Sequence, residues 1–364
     1  MQTRAPIKVM IVDDSVVIRR ILKNGLDASE SVQVVSTAEN GKIALENIKL
    51  FHPDVVLLDI EMPEMSGIET LTHIKANYPA IVVIMCSSLT EHGAKTTLDC
   101  LALGASDYIA KLSSAELSFS GKLDASKLFI DELLLKITSC SHYSDIEAPV
   151  KIKTTQRTHN NPDSIDVIAI GASTGGPEAL MKLLKTFPPN FSTPILIVQH
   201  MPPMFTRLLA ERLDTISNLR VCEAQHGQRV MDSTVYIAPG DRHMIIEKLG
   251  ADCFVRLLDE PPINHIKPCV DRLFGSVATV YKQYCLAVVM TGMGMDGLAG
   301  CQQIKDAGGL IYIQDKASSV VWGMPGAIAN KGLEDKQVGL SDMTAAIVSV
   351  VKEKSAVNIT VDNK

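Results

Sequence analysis

Strand-length apolar runs that do not alternate restrict the fold of this chain more than any other feature. Val55-Val56-Leu57-Leu58 is apolar at four consecutive positions, as expected of a central strand covered by helices on both faces. Residues 7–12, 32–36, 81–85 and 108–109 read as further strands, each followed by an amphipathic stretch. Residues 7 to about 140 therefore predict five βα units wound into one parallel sheet. Periodicity disappears over residues 141–164, where polar residues and two prolines collect, and this segment reads as a linker. A second α/β pattern starts at Asp166, with strands at 167–170, 195–198, 286–290 and 310–313 and helices at 177–186, 205–213, 270–281 and 298–307. Between 221 and 258 the segments are shorter and hairpin-like, including a strand at 235–237. The expectation is two doubly wound domains, the second a mostly parallel sheet with a hairpin region. Their boundaries are 1–140, a linker at 141–164, a domain at 165–354 and a tail at 355–364.

A length of 364 residues suits two cores of ordinary size. The balance of 46% apolar, 21% charged and 4% aromatic residues is that of an aliphatic α/β protein and excludes disorder of the whole chain. A net charge of -6 without a lysine or arginine block lacks the stripe that a nucleic-acid backbone requires. Eight cysteines stand singly, with no Cys-x-x-Cys pair, so neither zinc nor a disulfide framework is suggested. No segment approaches the ~20 apolar residues of a membrane span, so no membrane insertion and a cytoplasmic location are expected.

Two groups of residues carry chemistry. Asp13 and Asp14 end the first strand and Asp59 ends the third, and an open α/β sheet gathers such positions at its carboxyl edge. Three carboxylates at close range repel one another, and Mg²⁺, a hard cation that prefers oxygen ligands, resolves this. Lys111, after the fifth strand, adds a positive charge. Asp59 is then placed to attack a phosphoryl donor, Ser87 to bond a phosphoryl oxygen, and Tyr108 to respond.

Taken together, Val12-Asp13-Asp14-Ser15, the segment 59–67, Ser87 and Lys111 resemble a response-regulator receiver domain. The resemblance implies a flavodoxin-like five-stranded parallel sheet with Asp59 as phosphoacceptor. It has two departures: Ser66 stands where an aspartate is usual, and Leu112 where a proline usually follows the lysine.

In the second domain Gly171-Ala172-Ser173-Thr174-Gly175 follows a strand and opens a helix, fitting a Gly-x-Ser-x-Gly elbow. Taken alone, the segment suits a glycine-rich phosphate cradle equally well. His200 lies at another strand end and Asp296 in the glycine-rich loop 291–297 after a third. Nucleophile, base and orienting acid at three strand ends satisfy the logic of a catalytic triad. The order Ser, His, Asp differs from that of α/β-hydrolases, whose acid precedes the histidine.

Segments 171–177, 199–202, 238–243, 291–297 and 318–325 resemble the chemotaxis protein-glutamate methylesterases. With the receiver in front, the likeness spans almost the whole chain. It implies Ser173 as nucleophile, His200 as base, Asp296 as its partner, Thr174 as support and the Met293 amide as an oxyanion donor. It also implies methylated chemoreceptor glutamates as substrate, deamidation of receptor glutamines, a chemotaxis histidine kinase as phosphodonor, and no cofactor for ester hydrolysis. One departure falls at 263–271, where Cys269 follows the proline; this cysteine reads as a packing residue, and His265 as equally structural or functional. The rival outputs, DNA binding and nucleotide binding, lack a basic helix-turn-helix and a Gly-Lys-Ser/Thr ending respectively.

Overall fold

A computed structural model describes residues 5–111, 123–141 and 164–358. Leu112, most of the expected linker and the end of the expected tail lie outside the described residues. The chain forms two compact units, Met1–Ile146 and Glu147–Lys364.

The first unit holds strands β1 (Ile7–Val12), β2 (Val32–Ala38), β3 (Val55–Asp59), β4 (Val82–Ser87) and β5 (Asp107–Ala110), in the order β2-β1-β3-β4-β5. All four pairings are parallel. Helices α1 (Val16–Leu26), α2 (Gly41–Phe51), α3 (Gly67–Asn77), α4 (Glu91–Ala102) and α5 (Leu123–Ser141) accompany them. Every residue of β3 is buried, which is why its sequence shows no alternation. The unusual Ser66 has a local function: its Oγ accepts the Glu69 amide while the Glu69 carboxylate accepts the Ser66 amide, a capping box that starts α3. Gly67 is required there, because a Cβ would stand 2.0 Å from the Asp59 carbonyl oxygen.

The second unit is built on a seven-stranded sheet, β14-β13-β12-β6-β7-β9-β8. Its strands are β6 (Val167–Ala172), β7 (Ile195–Gln199), β8 (Arg220–Glu223), β9 (Thr234–Ile237), β12 (Cys285–Val289), β13 (Leu310–Gln314) and β14 (Lys336–Val338). Around it lie α6 (Gly176–Lys185), α7 (Pro203–Ile216), α8 (Val270–Tyr281), α9 (Leu298–Asp306), α10 (Met324–Lys331) and α11 (Leu340–Asn358). The core gathers residues such as Val167, Leu196, Tyr236, Phe274, Val289 and Ile313.

One sequence expectation is corrected. Residues 235–237 belong to a strand paired in parallel with both β7 and β8, not to a hairpin; the hairpin is β10 (His243–Leu249) with β11 (Asp252–Leu258), a separate antiparallel pair. Ser87 is the last residue of β4, which runs two residues past the expected strand 81–85. The final helix α11 continues through residue 354 to Asn358. No described helix is long and apolar enough to cross a membrane.

Candidate active site

Within each sheet the parallel strands share a carboxyl edge, and each chemical group lies on the edge of its own sheet. In the first unit β1 and β3 are neighbours, although β1 is followed in the chain by β2 on its other side. That reversal opens a crevice at their ends. Asp13, Asp14 and Asp59 meet there, with one oxygen from each within 4.8 Å of the others. Lys111 Nζ lies 2.8 Å from Asp13 Oδ2 and 2.7 Å from Asp59 Oδ1. Arg19, which the sequence did not single out, donates to the Asp13 and Asp14 carbonyls at 2.6 and 3.0 Å and fixes the loop. Ser87 is fully buried, its Oγ 2.6 Å from Thr97 Oγ1. Tyr108 is buried beneath Lys136, whose Nζ stands 5.8 Å from the ring centroid.

Burial raises the Asp59 carboxyl to about 6; Lys111 opposes the rise and Asp13 adds to it. Burial pulls the Lys111 ammonium down, but Asp59 and Asp13 outweigh this and hold it raised. One lysine between two buried carboxylates leaves a deficit of positive charge, and three converging oxygens suit a hard divalent cation. The residues fit such an ion.

This raised value carries a sign. Native Asp59 keeps its proton to higher pH than the unfolded chain, so stability is fully present below about pH 4 and lost as pH rises through about 6. Without divalent cation, Asp59→Asn is expected to be more stable than the parent at pH 7, by on the order of 2 kcal/mol, and to lose the dependence between pH 4 and 6. Urea unfolding of the full chain across that range measures both; added Mg²⁺ should narrow the difference.

In the second unit β6 lies between β12 and β7, again at a reversal of winding. The register pairs Ala172 with Gln199, and the His200 amide donates to the Ala172 carbonyl. Ser173 and His200 are therefore equivalent positions just past adjacent strands. On the other side, the Ser173 amide donates to the Thr291 carbonyl at 3.1 Å. Gly292 packs so closely that a Cβ would stand 2.9 Å from that of Ser173. Asp296 closes the arrangement: its Oδ2 lies 2.8 Å from His200 Nε2. Ser173 and His200 are partly exposed and Asp296 is buried.

Burial alone would raise the Asp296 carboxyl, but His200 and the Val270 and Asp271 amides hold it at about 2. An ionised carboxylate only accepts hydrogen bonds, so His200 Nε2 carries the proton. Nδ1, the other ring nitrogen, is then the candidate base.

Thr174, the expected support, is buried, and its carbonyl accepts Thr291 Oγ1 at 2.9 Å. Thr291 Oγ1 also accepts the Val321 amide at 3.0 Å. Met293, the expected oxyanion donor, is the next residue after Gly292, whose backbone bonds to Val321, Gly323 and Met324. The sequence placed Gln199 in the segment 199–202 but gave it no role; its Nε2 donates to the Ser173 carbonyl at 3.0 Å. Gln314 was missed too; its Oε1 accepts the Thr291 amide at 2.8 Å. Polar side chains at the ends of otherwise apolar strands were the available signal. Beside Asp296 opens a cleft of about 790 Å³, lined by Ile263, Ile266, Met295, Leu298 and Leu333 among others.

Comparison with known proteins bears on both sites. The family described as CheB methylesterase matches residues 168–347, and that described as response regulator receiver domain matches residues 9–118. A protein-glutamate methylesterase/protein-glutamine glutaminase of Trichodesmium erythraeum is 42% identical over 348 residues, covering 94% of this chain and 98% of the relative. The chain belongs to the CheB methylesterase family. A second relative bearing that description, numbered 2, from Caulobacter vibrioides, is 41% identical and covers 94% of this chain and 98% of its own. The crystal structure of the Thermotoga maritima CheB methylesterase catalytic domain is 39% identical and covers 52% of this chain and all of that one, with a TM-score of 0.51. That solved domain accounts for about half of this CheB-family chain, and the receiver match for most of the remainder.

Proposed function

We propose that this protein hydrolyses γ-methyl esters of glutamate side chains on chemoreceptors through Ser173, His200 and Asp296, under control of phosphorylation at Asp59. The observation that carries the reading is the 2.8 Å contact between His200 and Asp296, made across 96 residues of chain beside Ser173. Relatives described as both methylesterase and glutaminase supply the substrate class.

Ser173 Oγ attacks the ester carbonyl as His200 Nδ1 takes its proton, forming a tetrahedral anion. The Met293 amide donates to that anion, a type of contact that contributes ~10²- to 10³-fold in rate. Asp296 stays ionised and stabilises the imidazolium. His200 returns the proton to the departing methoxide, so methanol leaves and an acyl-serine remains. Water, deprotonated by His200, then attacks the acyl-serine, and His200 passes that proton to Ser173 Oγ as the acyl bond breaks, releasing glutamic acid, which ionises in solution. With a glutamine side chain the same steps expel ammonia. Domain roles follow the residues: 1–140 receives phosphate, 141–164 connects, and 165–354 catalyses, in the cytoplasm, where a histidine kinase supplies phosphate.

In the receiver, Asp13, Asp14 and Asp59 would hold Mg²⁺, which supplies charge neutralisation for phosphoryl transfer. Lys111 stabilises the acyl phosphate, Ser87 bonds a phosphoryl oxygen, and Tyr108 transmits the change. A coupling of ~1–3 kcal/mol predicts a 5- to 150-fold activation. Methanol release from methylated receptor fragments, measured with and without a small phosphodonor plus Mg²⁺, tests substrate and regulation together. No release rejects the substrate; equal rates with Asp59 demonstrably phosphorylated reject the regulation.

A further inference from the structure

Asp296 accepts more hydrogen bonds than a triad acid needs for its histidine alone. Its Oδ2 takes His200 Nε2 at 2.8 Å and the Val270 amide at 2.7 Å. Its Oδ1 takes the Asp271 amide at 3.0 Å, the Gly297 amide at 2.9 Å and the Cys269 thiol at 3.1 Å. Three of these donors are backbone amides. Besides His200, Cys269 is the one side chain among the described residues that donates to this carboxylate.

The local reason lies at the start of α8. Cys269 occupies the N-cap position, yet its side chain makes no capping bond, because sulfur is a weak acceptor. The Asp296 carboxylate takes over that work, accepting the first two amides of the helix, where negative charge is favoured. The thiol is thereby free to point its proton at Asp296. Cys269 is only 2% exposed, and burial together with Asp296 pushes its thiol up to about 12. Both effects favour the protonated thiol, the form that donates to Asp296.

We propose that Cys269 is a positioning residue for hydrolysis: its thiol pins Oδ1 of Asp296, so that Oδ2 stays turned toward His200. This rests on the hydrolase reading above. Loss of the donor removes one of the three hydrogen bonds that hold Oδ1 and loosens the carboxylate facing the imidazole, which acts on turnover and not on substrate binding.

Steady-state methanol release by the full chain carrying Cys269→Ala or Cys269→Ser tests this, with melting temperatures recorded for both. The expected result is an approximately fivefold fall in kcat for Cys269→Ala with KM unchanged, and recovery to within about twofold of the parent for Cys269→Ser, whose hydroxyl restores the donor. A packing role predicts the reverse order, since both replacements remove volume and serine adds a buried hydroxyl. Equal kcat for the two variants, or alanine above serine, overturns the proposal. If Cys269→Ala does not fold, the infrared S–H stretch, assigned by subtracting the Cys269→Ser spectrum from the parent's, decides. A band shifted down from the other thiols supports the bond, and an unshifted band overturns it. Ser173→Ala serves as the control: if it still turns over, the hydrolase reading falls and this proposal with it. A silent Ser173→Ala beside a Cys269→Ala equal to the parent sinks only the present inference.

Discussion

Ser173→Ala should abolish methanol release, with a fall in kcat of about 10⁶-fold. The size follows from what the hydroxyl does: without it no acyl-enzyme forms, and His200 has no proton to take. Ser173 contributes little else to the fold. Its backbone, which the substitution leaves in place, makes the contacts to Thr291, Gly176 and Gln199. The variant should therefore melt close to the parent temperature while being inactive. A Ser173→Ala protein with more than a percent or so of parental turnover, measured as methanol from methylated receptor fragments, contradicts the assignment.

Asp296→Asn should lower kcat by about 10⁴-fold, the loss typical when a triad acid becomes an amide. The cause is a conflict of donors. Asparagine brings an NH₂ group into a site where His200 Nε2–H, three backbone amides and a thiol all require an acceptor. If its oxygen takes the place of Oδ1, facing the Asp271 and Gly297 amides, its NH₂ faces His200 and the Val270 amide and forces the proton to Nδ1, where the base is needed. Unlike the serine variant, this one should also lose stability. A carboxylate held near 2 contributes stability above its unfolded pKa and loses it only as pH falls through about 2. At pH 7 that contribution is fully present, on the order of 2 kcal/mol, and Asp296→Asn removes it. Thermal melting at pH 7 beside the kinetic assay checks both effects. A variant as stable as the parent would show that Asp296 does not hold the start of α8.

The legible and illegible parts of this molecule separate along a physical line. Ser173, His200 and Asp296 were readable because each follows an apolar, strand-length run, and parallel strands place all such positions on one edge. The acidic pocket was readable for the same reason, from Asp13, Asp14, Asp59 and Lys111. Pairing partners were harder. The run at 235–237 precedes Pro239-Gly240 and resembles a hairpin arm, yet it joins the open edge of β7, a choice settled by tertiary packing and not by local pattern. Ser66 looked like a departure from its family and proves to be a working cap. Cys269 looked like packing because nothing in its own segment reveals that residue 296, far along the chain, will lie 3.1 Å away. Side-chain partners supplied by distant loops leave no periodic trace.

The central claim is that the edge formed by β6, β7 and β12 activates one serine for attack on a carboxylic ester. Its most direct test is to treat the parent protein with a serine-directed fluorophosphonate and locate the adduct by mass spectrometry. A single adduct on Ser173, formed at a rate that falls sharply in His200→Ala, is the predicted result. An unlabelled Ser173, or one labelled equally fast without His200, would contradict it.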